Sequence, residues 1–168
     1  IQGVPLNEII NTAMMGIKGI MQAIIILALA YSLNDLSAML NTAGFIIDNT
    51  ESWMTPKLLP MLAFLITAIV AFSTGTSWGT YAIMIPIAVP LAFNFSGNEI
   101  THIVYATVAA IAGGGVFGDH CSPLSDTSIL ASTGAASDHI DHIKTQMPYA
   151  LTVGLISVLI YLLIGNTF

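Results

Sequence analysis

Between Lys57 and Phe95 the chain is apolar nearly throughout, except at its centre, where Ser73 to Thr80 reads STGTSWGT. Each flank has roughly 15 residues, about 22 Å of helix at 1.5 Å per residue. A bilayer core about 30 Å thick needs about 20 helical residues to cross, so neither flank spans it alone. Read as one helix, the stretch would reach about 55 Å, which is too far. Two arms folded back at a polar tip satisfy both limits, and the pattern predicts a re-entrant hairpin over 57–95. Irregular backbone survives at membrane depth only where protein or a wet cavity satisfies its polar groups.

The membrane premise rests on charge. Only 7% of the 168 residues are charged and 55% are hydrophobic, whereas soluble domains carry about 25% charged residues. Too few charges exist to cover a surface in water. The expectation is an all-α, multi-pass protein of the cell membrane, with lipid around it. The net charge of −6 lies in short connecting segments without a basic patch, which argues against nucleic acid. Cys121 is the only cysteine and forms no intrachain disulfide. The opening, IQGVPLNEII, has no initiator Met and no basic leader, and suggests a piece of a longer chain.

Four further segments follow. An apolar span over 16–33 stops at Asn34-Asp35. A third run starts near Glu99, stays helical to about Ile111, breaks at GGGVFGDHCSP and resumes from Leu124 to about Thr133. Gly113, Gly114 and Gly115 each disfavour helix by about 1 kcal/mol, and Pro123 suits the first turn of a second half. This predicts a broken helix over 99–133. SDHIDHIKTQ then predicts an interfacial helix over 138–146, and a last span covers 148–165. Trp53 and Tyr149 read as interfacial anchors, an explanation that does not fit Trp78 at the hairpin tip.

Three familiar motifs lose to plainer readings. Gly113-x-Gly115-x-x-Gly118 matches a dinucleotide fingerprint, but that needs a preceding strand, and Asp119 would repel phosphate. His120 and Cys121 are adjacent, so neither can serve as the other's base. His139 and His142, with Asp138 and Asp141, read as a solvated helix face rather than as a metal site. The two polar breaks remain. A carboxylate at the bilayer centre costs at least about 2.5 kcal/mol and is a functional residue by default, which singles out Asp119 and Asp126. Broken helices and hairpin tips expose the carbonyls and half-helix termini that build ion sites in transporters.

GDHCSPLSDTSILASTGAASDHIDHIKTQMPYAL, Gly118 to Leu151, resembles the C-terminal signature of the NhaC-type sodium/proton antiporter family, which also contains malate–proton/sodium–lactate antiporters. LALAYSLNDLSAMLNTAGFI and AFSTGTSWGTYAIMIPIA are similar to family segments as well. The resemblance implies one repeat of an inverted-repeat transporter, with a re-entrant hairpin followed by a broken helix, completed by an N-terminal repeat. The partners to expect are that repeat, membrane lipid and a second copy in a homodimer. It implies transported Na⁺ and H⁺ and no cofactor. Expected cation-site residues are Ser73, Thr74, Gly75, Thr76 and Ser77 at the tip, and Gly118, Asp119, Ser122, Ser125, Asp126 and Thr127 at the break. Asp119 is the first candidate for the exchanged proton, Asp126 the second and His120 the third. The alternatives are carboxylate-coupled exchange, a non-transporting membrane subunit, and an intramembrane enzyme built on Cys121.

Overall fold

The computed structural model describes residues 5–41, 45 and 55–167. All regular structure among them is helical. Helix α1, Leu6–Met39, contains the predicted span 16–33 and continues through Asn34 and Asp35. Trp53, expected as an interfacial anchor, lies outside the described residues. After a 3-10 turn at Pro56–Leu58 come α2, Leu59–Thr74, and α3, Ser77–Phe95. They are followed by α4, His102–Cys121, the short α5, Asp126–Gly134, and α6, His139–Thr167.

The bundle has two ends. At one, the backbone of Gly165 in α6 lies against Lys57, and Leu59, Leu91, Ala92 and Val104 cluster. At the other, the α2–α3 turn meets the end of α4 through Ser122 and Phe72. Thus α2 and α4 run in parallel, with α3 and α6 antiparallel to them. The main core lies between these ends and joins Ala63 and Phe64 of α2, Met84 and Ala88 of α3, and Ala110 and Ile111 of α4.

The glycine-rich stretch departs from the sequence expectation. Helix α4 runs unbroken through Gly113, Gly114 and Gly115 to Cys121, and the break falls at 122–125. The glycines make room instead of stopping the helix. A Cβ on Gly114 would press on the Phe64 carbonyl, and one on Gly118 on the Ala68 carbonyl and the Phe72 amide. Close backbone packing of α4 on α2 at Gly114 and Gly118 offsets the propensity cost, roughly 1 kcal/mol per glycine.

Two other boundaries differ. The segment predicted as a separate interfacial helix, 138–146, is continuous with the last span in α6, with Pro148 inside the helix. Proline is tolerated in membrane helices where neighbouring groups re-satisfy the freed carbonyl. Asp138 caps this helix, its Oδ1 accepting from the amides of Ile140 and Asp141 at 2.9 and 3.0 Å. The expectation that neither hairpin arm is long enough to span alone does not hold, because helix extends through Ser73 and Thr74 on one side and begins at Ser77 on the other. Pro56–Thr74 and Ser77–Phe95, at 19 residues each, and His139–Thr167 are long and apolar enough to cross a membrane. Isoleucines and leucines on their outer faces are exposed, as lipid contact requires.

Candidate functional site

The turn between α2 and α3 is only Gly75-Thr76. Gly75 takes a left-handed conformation, φ 69°, and its N–H donates to the Ala71 carbonyl at 2.8 Å. A side chain there would also meet the Leu124 backbone at 2.7 Å. Only glycine serves both demands. Thr76 caps α3, its hydroxyl accepting from the Gly79 amide.

The break is tied to this turn. Ser122, fully buried, donates its hydroxyl to the Phe72 carbonyl at 2.7 Å and accepts from the Leu124 amide at 3.1 Å. Ser125, also fully buried, caps α5 by accepting from the Ser128 amide and lies 2.8 Å from the Thr127 hydroxyl. The Ser128 hydroxyl donates back across the break to the His120 carbonyl at 3.2 Å. His139 clasps the break from α6: Nε2 lies 2.9 Å from the Pro123 carbonyl, and Nδ1 lies 3.2 Å from Ser132 Oγ. Gln146 donates to the His120 carbonyl at 2.8 Å.

Within this frame sits Asp119, 8% exposed in the last turn of α4. Its Oδ2 accepts from the Thr127 hydroxyl at 3.2 Å, across the break. Its Oδ1 is buried, and no donor among the described residues reaches it. A buried acceptor left unsatisfied costs about 1–3 kcal/mol, and more when it is charged. Such an oxygen calls for a proton on the carboxyl or for a cation.

Thus Gly75 meets the break, and Asp119, Ser125 and Thr127 converge. The other expected residues are spread more widely. Ser73 and Thr74 are exposed, and their hydroxyls donate to the Ile69 and Val70 carbonyls of their own helix. Ser77 is half-buried at the start of α3. Gly118 packs on α2 rather than opening onto an ion. Asp126 is exposed, and so is His120, which lines a groove between α4 and α6 with Gln146 and Tyr149. Burial therefore separates the two aspartates, which sequence reasoning ranked only by position. No group of three or more His, Cys, Asp or Glu poised for a metal is present among the described residues.

Sequence reasoning passed over Ser128 and read His139 as part of a solvated helix face, whereas His139 bonds to the break. The ST-rich run after Pro123 contained the signal for Ser128, three residues after a helix cap. His139 had no comparable signal, because its partners lie 16 and 7 residues back in the chain. Replacing Ser122 by Ala is expected to destabilise the fold by about 1–2 kcal/mol, since the tie to Phe72 is lost inside the protein. Thermal unfolding of the purified protein in detergent checks this.

Long apolar helices with lipid-facing outer surfaces and a buried carboxylate at a helix break define the class: an integral membrane protein of the helical type. The chain belongs to the Na⁺/H⁺ antiporter family, whose profile matches residues 1–166, and within it to the NhaC-type antiporters. It is similar to an uncharacterized protein of Haemophilus influenzae, 39% identical over 98% of this chain and 31% of the relative. The arginine/ornithine antiporter ArcD of Halobacterium salinarum is 32% identical over 95% of this chain and 31% of that protein. The Na⁺/H⁺ antiporter NhaC of Alkalihalophilus pseudofirmus is 27% identical over 96% and 34%. The chain spans about a third of the length of these relatives. No solved structure matches it.

Proposed function

We propose that this chain carries the ion site of a multi-pass cell-membrane antiporter that exchanges Na⁺ for protons. Family membership supports the reaction class. The observation that carries the site is the buried Asp119 Oδ1, which no donor reaches among the described residues. Asp119 alternates between two loads. A proton or a sodium ion can each neutralise the carboxylate, and both cannot occupy the same oxygen at once. Sodium arrival expels the proton, and proton arrival expels sodium. Exchange follows from competition for one group, and no separate coupling device is needed.

In this reading the α2–α3 hairpin enters and leaves by one membrane side, and its tip meets the broken helix α4–α5 at depth. The rest of the protein supplies an inverted second repeat and the remaining ligands. The C-terminal carbonyls of α4 point toward the break and favour a cation there.

The test is flux in proteoliposomes made with the full-length protein. An imposed pH gradient is expected to drive radiolabelled sodium against its gradient. Parallel vesicles offered malate, lactate, arginine or ornithine measure the other cargoes. Sodium-independent exchange of one of those solutes, with no sodium movement, would replace this proposal.

A further inference from the structure

Asp119 sits where a helix least tolerates an anion. It lies in the last turn of α4, at the negative end of the helix dipole, and it is only 8% exposed. Across the break, α5 begins at Asp126 with Ser125 as its cap. The only hydrogen bond to the carboxylate among the described residues comes from that side. The Thr127 hydroxyl donates to Oδ2 at 3.2 Å, and Oδ1 has no partner.

The direction of the Thr127 bond is fixed one step further along. Thr127 Oγ1 also lies 2.8 Å from Ser125 Oγ, and Ser125 Oγ accepts from the Ser128 amide at 3.3 Å. Each hydroxyl has one proton to give. If Thr127 gave its proton to Ser125, the Ser125 proton would have no acceptor among the described residues. Ser125 is fully buried, and a buried donor left without a partner is costly. Pointed the other way, every proton is used. The Ser128 amide donates to Ser125, Ser125 donates to Thr127, and Thr127 donates to Asp119 Oδ2. The chain of donors starts at the α5 cap and ends on one oxygen of the carboxylate. Each hydroxyl spends its proton and one lone pair inside the chain. Oδ2 is held as an acceptor, and Oδ1 is the oxygen left for cargo. Thr127 itself is exposed on α5, so its side chain contributes little packing and acts through its hydroxyl.

We infer that Thr127 is a positioning residue for the exchange: through the donor chain from Ser125 it fixes the Asp119 carboxylate by Oδ2 and presents Oδ1 to the cation. This rests on reading Asp119 as the cation site. Direct ligation by Thr127, which the family resemblance implied, is the competing role. Thr127→Val keeps the branched shape and removes the hydroxyl. In the full-length protein in liposomes it is expected to raise the apparent KM for sodium about tenfold, the order for losing a hydrogen bond to a charged group. The maximal rate should stay within about twofold, because only cargo binding weakens. The inhibition constant of lithium, offered as a competing ion, should rise by the same factor, since both ions meet the same carboxylate. Thr127→Ser restores the hydroxyl and should return both values toward the parent. A parental sodium KM in Thr127→Val overturns the inference. So does a raised KM that Thr127→Ser fails to restore, which leaves a merely structural role. A changed ratio of sodium to lithium constants also overturns it and makes Thr127 a size-selecting ligand. Asp119→Asn in the same preparation separates this claim from the one beneath it. If it abolishes proton-coupled flux while Thr127→Val keeps the parental KM, only the positioning role falls. If Asp119→Asn keeps that flux, the cation-site reading falls and the positioning role falls with it.

Discussion

Asp119→Asn in the full-length protein is expected to reduce proton-coupled sodium flux to the background of empty vesicles. The amide retains the shape of the side chain and can still accept from the Thr127 hydroxyl, so the tie across the break survives. What it loses is the negative charge for sodium and the site for a proton. Asp126→Asn is the internal comparison. Asp126 is exposed at the start of α5, and its neutralisation removes only a favourable charge near a helix N-terminus, worth about 0.3–1 kcal/mol. Its flux should stay within about twofold of the parent. Initial rates of sodium uptake under an imposed pH gradient, normalised to inserted protein, measure both.

The second large effect is on folding. At Gly118 a Cβ would overlap the Ala68 carbonyl and lie 2.7 Å from the Phe72 amide nitrogen and 2.8 Å from the Ala71 Cβ. The nearest atoms are mostly backbone and cannot swing away. Gly118→Ala must therefore push α4 off α2, at an expected cost of about 2–3 kcal/mol, and Gly118→Val costs more. Because Ser122 and Phe72 sit at the same contact, the tie between hairpin and break loosens as well. Gly134→Ala is the counterpart. Nothing lies within 4 Å of a Cβ at that position, and alanine is the better helix former by about 1 kcal/mol, so this variant should melt at or above the parental temperature. Thermal unfolding in detergent distinguishes the pair.

These two substitutions show what could be read in the chain. Apolar run lengths located α1 to α4 and α6, because a bilayer imposes a length on any segment that meets it. The GTS-type tip and the Ser-Pro-Leu-Ser break were visible as polar interruptions, and so was the carboxylate beside them. The glycine stretch was misread because intrinsic propensity is a local quantity, while Gly114 and Gly118 answer to Phe64 and Ala68 in another helix. The same holds for Asp119 against Asp126. Both precede or follow the break at similar distance, and only tertiary packing buries one of them. His139 was read as part of a solvated face for a related reason: its partners, Pro123 and Ser132, are set by how the helices pack. The boundary after 146 was misplaced because a polar-faced stretch and an apolar run read as two segments, while one helix continues through Pro148.

The central claim is that sodium and the proton compete for one buried carboxylate, and the dependence of the apparent sodium KM on pH tests it most directly. In proteoliposomes of the full-length protein, sodium KM should rise as pH falls, approaching tenfold per pH unit where the site is mostly protonated, while the maximal rate at saturating sodium changes far less. Asp119→Glu, which keeps a titratable carboxylate, should retain that dependence with a shifted midpoint. A sodium KM that stays constant across the pH range, with pH acting only on the maximal rate, would contradict competition at Asp119.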